Sequence, residues 1–178
     1  MMINYMPLAS AIPSVSDGQG HGAWDGVVER LLQLWLDDYG RLHPAKGIVE
    51  TTAANFSYLF DIAAQRLIAA WGVSVGRHSG ERDAGRMAGH PLGAGRRYHR
   101  GHAIPHTLGG PVDINLVPQL GSVNIGPFRP FEKQAVATPG ALYFTYWQYT
   151  GNSTQTPSGV DQGLFAPGGT PSVRHHGN

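Results

Sequence analysis

Between residues 72 and 95 the chain carries a glycine every few positions, and this spacing limits its fold more than any other feature. Glycine weakens helix and strand interiors because it loses more backbone freedom on folding than other residues do. Residues 72–101 are therefore predicted to form a long loop, and such loops inside compact domains are usually functional or disordered. We expect it to separate a leader and helical region, residues 1–76, from a second domain, residues 77–178. The hydrophobic fraction of 41% is sufficient for a buried core.

The N-terminal part predicts a loose leader and two helices. Residues 1–22 mix proline, serine and glycine, whereas apolar residues recur at helical spacing over Trp24–Tyr39, with Gly40 as the expected end. A threonine pair at 51–52 is placed to cap a second helix that would end at Gly72. The apolar stripe of that second helix would be Phe56, Leu59, Phe60, Ala63, Leu67 and Ile68.

The second half predicts short strands around one helix. GHAIPH is typical of a short strand and turn, and NLVPQ of a second extended piece. FRPFEKQAVA has helical spacing, and the aromatic run ALYFTYWQYTG is typical of a strand. SGVDQGLFAPGG predicts one more strand before a polar tail. This succession indicates an α+β protein.

Positive charge is concentrated although the formal net charge is only +1. Six of the eleven arginines are Arg77, Arg82, Arg86, Arg96, Arg97 and Arg100. Only Glu81 and Asp83 oppose them in that stretch, and His78, His90 and His99 add to the surplus. Such a segment would attract a polyanion, with a solvated basic loop as the alternative.

Cysteine and membrane segments are missing from the sequence. Without cysteine, disulfides and thiolate metal sites are excluded. No apolar run approaches the roughly 20 residues of a membrane span. The start MMINYMPLASAIPSVS is not typical of a conventional signal peptide. Localisation stays open, and any export would depend on something other than this segment.

Histidine, asparagine, glutamate and arginine all occur between positions 96 and 132. Phosphodiester hydrolysis needs a base to activate water and a cation near the leaving oxygen. Histidine is the natural base near neutral pH, and arginine holds phosphate by paired hydrogen bonds. A hard ion such as Mg²⁺ or Mn²⁺ prefers oxygen ligands and keeps most of its waters, so one asparagine can suffice.

The ordered segments RGHAIPHTLGG, NLVPQ and NIGPFRPFE resemble the DNA/RNA non-specific endonucleases of the ββα-metal (His-Me finger) superfamily, in their toxin-like bacterial branch. The resemblance covers Arg96 to Glu132 and extends more loosely to Phe165. It implies a ββα-metal core, a short β-hairpin plus a helix with an antiparallel sheet, which here would follow the two N-terminal helices. It also implies a metal-dependent endonuclease that acts on DNA, RNA or both with little sequence specificity.

Site residues follow from the resemblance position by position. Arg100-Gly101-His102 matches three positions of the family's D-R-G-H motif, which implies His102 as general base and Arg100 as a phosphate contact. Asn124 matches the metal-binding asparagine and Glu132 the glutamate that reaches the metal through water. Asn115 matches an asparagine that supports the site.

Further substrate contacts are expected from Arg96, Arg97, His99 and His106. The chain departs from the family at His99, where the motif has aspartate, and at Val136, where larger members carry arginine. The toxin-like branch suggests interbacterial competition, with a cognate inhibitor (immunity) protein as partner. It also implies export by a specialised secretion system or action in a target-cell cytoplasm.

Other functions stay open at this point. His99, His102 and His106 form a series that could hold zinc, although Pro105 prevents a simple helix from presenting the last two together. A zinc-stabilised interaction protein is therefore one alternative, and a nucleic-acid-binding module that has lost cleavage is another. A housekeeping or nutritional nuclease is the main rival to the toxin role.

Overall fold

The computed structural model describes residues 2–15, 20–44, 46–80, 84–91 and 93–178 and shows an α+β fold. The helices are α1 (Asp25–Leu42), α2 (Ala84–Met87), α3 (Gly121–Ile125) and α4 (Arg129–Ala137). The strands are β1 (Ile48–Ala53), β2 (Phe56–Asp61), β3 (Arg66–Val73), β4 (Tyr98–His102), β5 (Leu116–Leu120), β6 (Leu142–Gln148), β7 (Gly159–Phe165) and β8 (Ser172–Gly177). An antiparallel six-stranded sheet has the order β1-β2-β3-β6-β7-β8, and β4 pairs with β5 in a separate two-stranded ribbon.

The first predicted helix is present as α1, but it does not stop at Gly40. It continues to Leu42, and Gly40 lies exposed within its last turn. His43 then adopts an extended backbone with φ −135° and ψ 144°. Because Pro44 follows, the helical conformation is sterically disfavoured at His43. The proline, not the glycine, therefore ends the helix.

The second predicted N-terminal helix is wrong, because its residues form the antiparallel strands β1, β2 and β3. Ala54 and Asn55 connect β1 to β2, with φ of 51° and 67°. Two successive positive φ values belong to the type I′ hairpin turn, whose usual sequence signal is Asn-Gly. With Ala-Asn in that place, the sequence carries no recognisable turn signal.

The apolar spacing over these strands resembles that of a helix for a physical reason. Every residue of β3 is buried, so the strand shows no polar–apolar alternation. The register between β2 and β3 also shifts at Leu59 and Phe60. Such an irregularity breaks the two-residue period of a strand, so apolar positions at 56, 59 and 60 mimic helical spacing.

Both chain ends are more ordered than their composition predicts. Met6–Ala11 forms a 3₁₀ helix, Leu8 is buried, and the Tyr5 hydroxyl donates to Asp161 at 2.9 Å. The interpretation of a loose leader is therefore wrong for residues 2–15, and residues 16–19 lie outside the described residues. The expected polar tail is strand β8, because its backbone pairs along β7.

The central strand β6 is buried on both faces, which explains its aromatic sequence. On one face Phe144 and Tyr146 meet Trp35 of α1, and the Trp35 and Tyr146 rings stack with centroids 5.9 Å apart. Trp147 points the other way and contacts Phe128, just before α4, at 6.3 Å between ring centroids. Strands alternate their side chains between faces, so β6 joins α1 to the segment that carries α3 and α4.

The long glycine-rich loop predicted over residues 72–101 is present in residues 74–80, 84–91 and 93–97, where the described part contains only the short α2. Its predicted ends are wrong, because residues 72–73 belong to β3 and residues 98–101 to β4. Glu81, Arg82 and Asp83 lie outside the described residues, as does the side chain of Arg86. The six-stranded sheet takes strands from both sides of the boundary predicted after residue 76. None of the helices in the described ranges is long and apolar enough to span a bilayer.

Candidate active site

The β4–β5 ribbon holds the histidine of the R-G-H segment at its end. His102 pairs with Leu116 and is only 6% exposed. Gly101 pairs with Val117, and a Cβ atom built on this glycine would lie 2.3 Å from Oε1 of Gln119. The glycine of the segment therefore makes room for the fully buried Gln119 side chain, which crosses beneath the strand.

Asn115 fixes the turn that follows His102. Its Oδ1 accepts from the Ile104 amide at 2.7 Å, and its Nδ2 donates to the Ile104 carbonyl at 2.7 Å. The Asn115 carbonyl also accepts from the Ala103 amide at 2.9 Å. Since Asn115 is fully buried and its side-chain amide bonds to the backbone of Ile104, it fixes the turn after His102 and is not exposed to a ligand.

This clamp leaves no room for a side chain at Gly110. A Cβ atom there would lie 2.0 Å from the Ile104 carbonyl oxygen and 2.7 Å from Nδ2 of Asn115. The glycine pair in HTLGG therefore serves local packing around the bonds that hold His102 in place.

Asn124 lies on α3, and Glu132 lies in the first turn of α4. Both side chains are half-buried. The Phe128 amide donates to the Val123 carbonyl at 3.2 Å, which links the two short helices. Helix α4 packs against the turn His106–Leu108, so it lies beside the segment that follows His102.

Tyr143 of β6 lies near Glu132, and its hydroxyl accepts from Gln162 at 2.9 Å. Burial, and after it the Glu132 carboxylate, raise the pKa of Tyr143 well above its usual value. The phenol of Tyr143 therefore stays protonated, so it adds no second negative charge next to Glu132.

Three histidines form a row that reaches from buried His102 to solvent. The rings of His102 and His106 are 6.3 Å apart between centroids, and those of His106 and His78 are 6.0 Å apart, both edge to face. His102 is buried, His106 is half-buried and His78 is exposed. The His78 amide donates to the Thr107 carbonyl at 2.8 Å, which brings the glycine-rich loop to the site.

Arg100 lines a small cleft together with Pro91, Asp113 and Pro118. Asp113 has a φ of 68°, in the left-handed region that few residues other than glycine adopt. Strained residues of this kind cluster at functional sites. The structure thus brings a carboxylate to the same cleft as Arg100, whereas His99 stands at the position where the resembled motif has aspartate.

The remaining predicted substrate contacts are spread along the ribbon. Arg96 and Arg97 are exposed, as phosphate contacts must be. The ring of His99 packs on Gly121 at the start of α3, where a Cβ atom would lie 2.6 Å from its Nε2. His106 is close to His102, whereas His99 contacts the start of the helix that carries Asn124.

A closed metal site is absent from the part of the chain that the structure describes. There, no three histidine, cysteine, aspartate or glutamate side chains are grouped so that they could hold an ion. The zinc alternative from His99, His102 and His106 therefore gains no support. Asn124 and Glu132 instead offer half-buried oxygen donors, which suit a hard divalent cation that keeps most of its waters.

The positions of His78, Asp113 and Gln119 in this arrangement are not apparent from the sequence. His78 precedes His102 by a long glycine-rich stretch and carries no motif. The repeated glycines and the bend before Asn115 were the available signals, but neither indicates which side chain reaches the site.

No protein-family profile and no curated protein sequence matches this chain. A solved structure does: NucA from Streptococcus agalactiae, a streptococcal nuclease crystallised with no metal bound, aligns with a TM-score of 0.50 and 14% sequence identity. The alignment covers 83% of this chain and 88% of that one. The chain therefore has a nuclease-like fold.

Proposed function

We propose that the protein is a divalent-metal-dependent endonuclease that hydrolyses phosphodiester bonds of DNA, RNA or both. One observation carries the proposal: His102 ends a strand that Asn115 clamps, and helices with Asn124 and Glu132 follow beside it. The likeness of the fold to a streptococcal nuclease supports the hydrolytic class.

The proposed chemistry starts at His102. Its imidazole accepts a proton from the attacking water, whose oxygen forms the new bond to phosphorus while the bond to the leaving oxygen breaks. The bonds from Asn115 to Ile104 hold the turn after the base, so the ring keeps its direction during the reaction. Arg100 neutralises charge on a phosphate oxygen by charge-assisted hydrogen bonding.

Asn124 would hold Mg²⁺ or Mn²⁺ directly, and Glu132 would reach the ion through water. When bound, such an ion offsets the negative charge that develops on the leaving oxygen. Both residues supply oxygen, the donor that these ions prefer, and half-burial leaves them open to water. Arg96, Arg97, His99 and His106 would contact the phosphate chain around the scissile bond.

The experiment is incubation of the purified protein with plasmid DNA and with total RNA, with Mg²⁺, with Mn²⁺ and with a chelator. We expect cleavage of at least one substrate with metal and none with the chelator. His21→Ala, a change of an exposed histidine in an N-terminal 3₁₀ helix, serves as the active control. Cleavage that persists in excess chelator would refute the metal-dependent mechanism.

The wider biological role rests on the sequence resemblance alone. Action as an interbacterial toxin, and inhibition by a cognate immunity protein, stay predictions. Co-expression with neighbouring reading frames tests them, since an inhibitor gene would restore the growth of cells that express the active protein.

A further inference from the structure

We propose that His78 contacts the substrate and donates a hydrogen bond to a phosphate next to the scissile one. The inference rests on the proposed function and deepens it, since it assigns a substrate contact outside the segment from Arg96 to Glu132. Its basis is the row of three imidazoles, in which His78 is the exposed end and His102 the buried end.

The position of His78 is fixed although its side chain is exposed. Its amide donates to the Thr107 carbonyl at 2.8 Å, one residue beyond His106. A Cβ atom built on Gly80 would lie 2.2 Å from Nε2 of His78, and one built on Gly109 would lie 3.5 Å from its Cγ. Both neighbours are glycines, so the imidazole occupies space that any other residue at 80 would fill.

Fixing an exposed side chain loses rotamer freedom without burying apolar surface. The edge-to-face contact with His106 leaves most of the His78 ring open to solvent, where it is available to a ligand. The neighbouring Arg77 is also exposed, so the same segment presents a guanidinium and an imidazole to solvent. Those two groups together suit an anionic ligand.

The geometry of the row identifies which anion. A phosphodiester chain that places one phosphate at buried His102 must extend outward, and half-buried His106 and exposed His78 lie along that way. The ring centroids lie 6.0 Å and 6.3 Å apart, so the three imidazoles are better placed to contact successive groups along one chain than to share a single small ligand. His78 is thus assigned a phosphate other than the one that reacts.

The test uses short oligonucleotides in which single phosphates near the cut site are replaced by neutral methylphosphonates. With the wild-type protein, one replacement should raise KM by roughly tenfold, the effect of losing one charge-assisted hydrogen bond. With His78→Ala, the all-phosphate substrate should show the same rise in KM. The penalty for that one methylphosphonate should disappear, and kcat should stay near the wild-type value.

Two further variants separate binding from packing. His78→Phe fills the space above Gly80 and Gly109 without a donor, so it should match His78→Ala in KM; it also replaces the alanine variant if that variant does not fold. The backbone bond to Thr107 is retained in both. His21→Ala, the exposed control, should behave as wild type.

Three results would overturn the inference. They are a methylphosphonate penalty that persists in His78→Ala, a wild-type KM in His78→Phe, and a loss of kcat at constant KM. Each of these results can occur while the wild-type protein cleaves its substrate, so the proposed function would stand. Absence of cleavage by the wild-type protein would instead defeat both.

Discussion

The β4–β5 ribbon and the six-stranded sheet are held together by different kinds of contact. In the ribbon, apolar residues next to His102 such as Ile104 and Val117 are buried, and the side-chain amide of Asn115 adds two hydrogen bonds to the backbone of Ile104. In the sheet, the contacts are aromatic: Trp35 packs on Trp71, Phe144 and Tyr146 across β3 and β6.

Hydrogen bonds depend strongly on direction, whereas apolar burial depends mainly on area. The ribbon is therefore suited to hold one side chain in one orientation, and the sheet is suited to provide stability. We therefore expect the effect of a substitution to depend on its region. Substitutions in the site should reduce activity, and those in the sheet should reduce the free energy of unfolding.

The largest effect is expected at the base. His102→Ala should lower the cleavage rate by roughly 10²- to 10⁴-fold, the usual contribution of a general base. Circular dichroism should show that the fold is kept, because the clamp by Asn115 involves residues 103 and 104 and not His102. A folded variant with wild-type activity would remove His102 from the mechanism.

The opposite behaviour is expected in the sheet. Trp35→Ala should lower the free energy of unfolding by about 3–5 kcal/mol, because it leaves a large cavity in the core. Urea titration measures the loss, and the rate per folded molecule should stay at the wild-type value. Leu42→Ala, at a 61% exposed position of the same helix, is the control and should change stability little. Equal losses in both variants would contradict the assignment of stability to the aromatic core.

Asn115→Ala should affect both properties and so mark where the two regions depend on each other. It leaves the amide and the carbonyl of Ile104 without their partner, which should lower the free energy of unfolding by roughly 1–3 kcal/mol for each group. Cleavage should fall as well, since the turn after His102 is no longer fixed. Asn4→Ala, at an exposed asparagine, is the control. Loss of stability with full activity would show that the clamp does not position the base.

The smallest effect is expected from the exposed arginines. Replacing Arg96 and Arg97 together by alanine, in a His102→Ala background that preserves substrate, should weaken binding to different sequences about equally. The log–log dependence of affinity on salt should become shallower by roughly one to two units. An unaltered salt dependence would show that these arginines do not contact phosphate. Melting temperature should not change, since both side chains are exposed.

The sequence was most informative where structure is local. Strands β5, β6 and β7 and helix α4 match segments that were predicted from short patterns, whereas only Gly101 and His102 of β4 fall within the predicted strand and turn at 101–106. In these elements, turn residues, helical spacing and aromatic runs each lie within about ten positions, so one window contains the whole signal.

The features that could not be predicted depend on contacts between residues distant in sequence. Strand β3 lies between β2 and β6 and is buried along its whole length, so its own residues do not show the polar alternation of a half-exposed strand. The Ala54-Asn55 turn takes positive φ values without the usual glycine. His78 lies beside His106 because its backbone amide bonds to Thr107, far along the chain. Local propensity carries no information on any of these.

The central claim is that the ribbon and its helices form a metal-dependent phosphodiesterase site, and a Mg²⁺ titration of cleavage tests it most directly. Asn124→Ala replaces an amide oxygen by a methyl group, so the Mg²⁺ concentration for half-maximal cleavage should rise by roughly tenfold or more, or activity should vanish. Ser122→Ala, at an exposed position of the same short helix, should titrate as the wild-type protein does. An unchanged titration curve for a folded Asn124→Ala protein would contradict the claim.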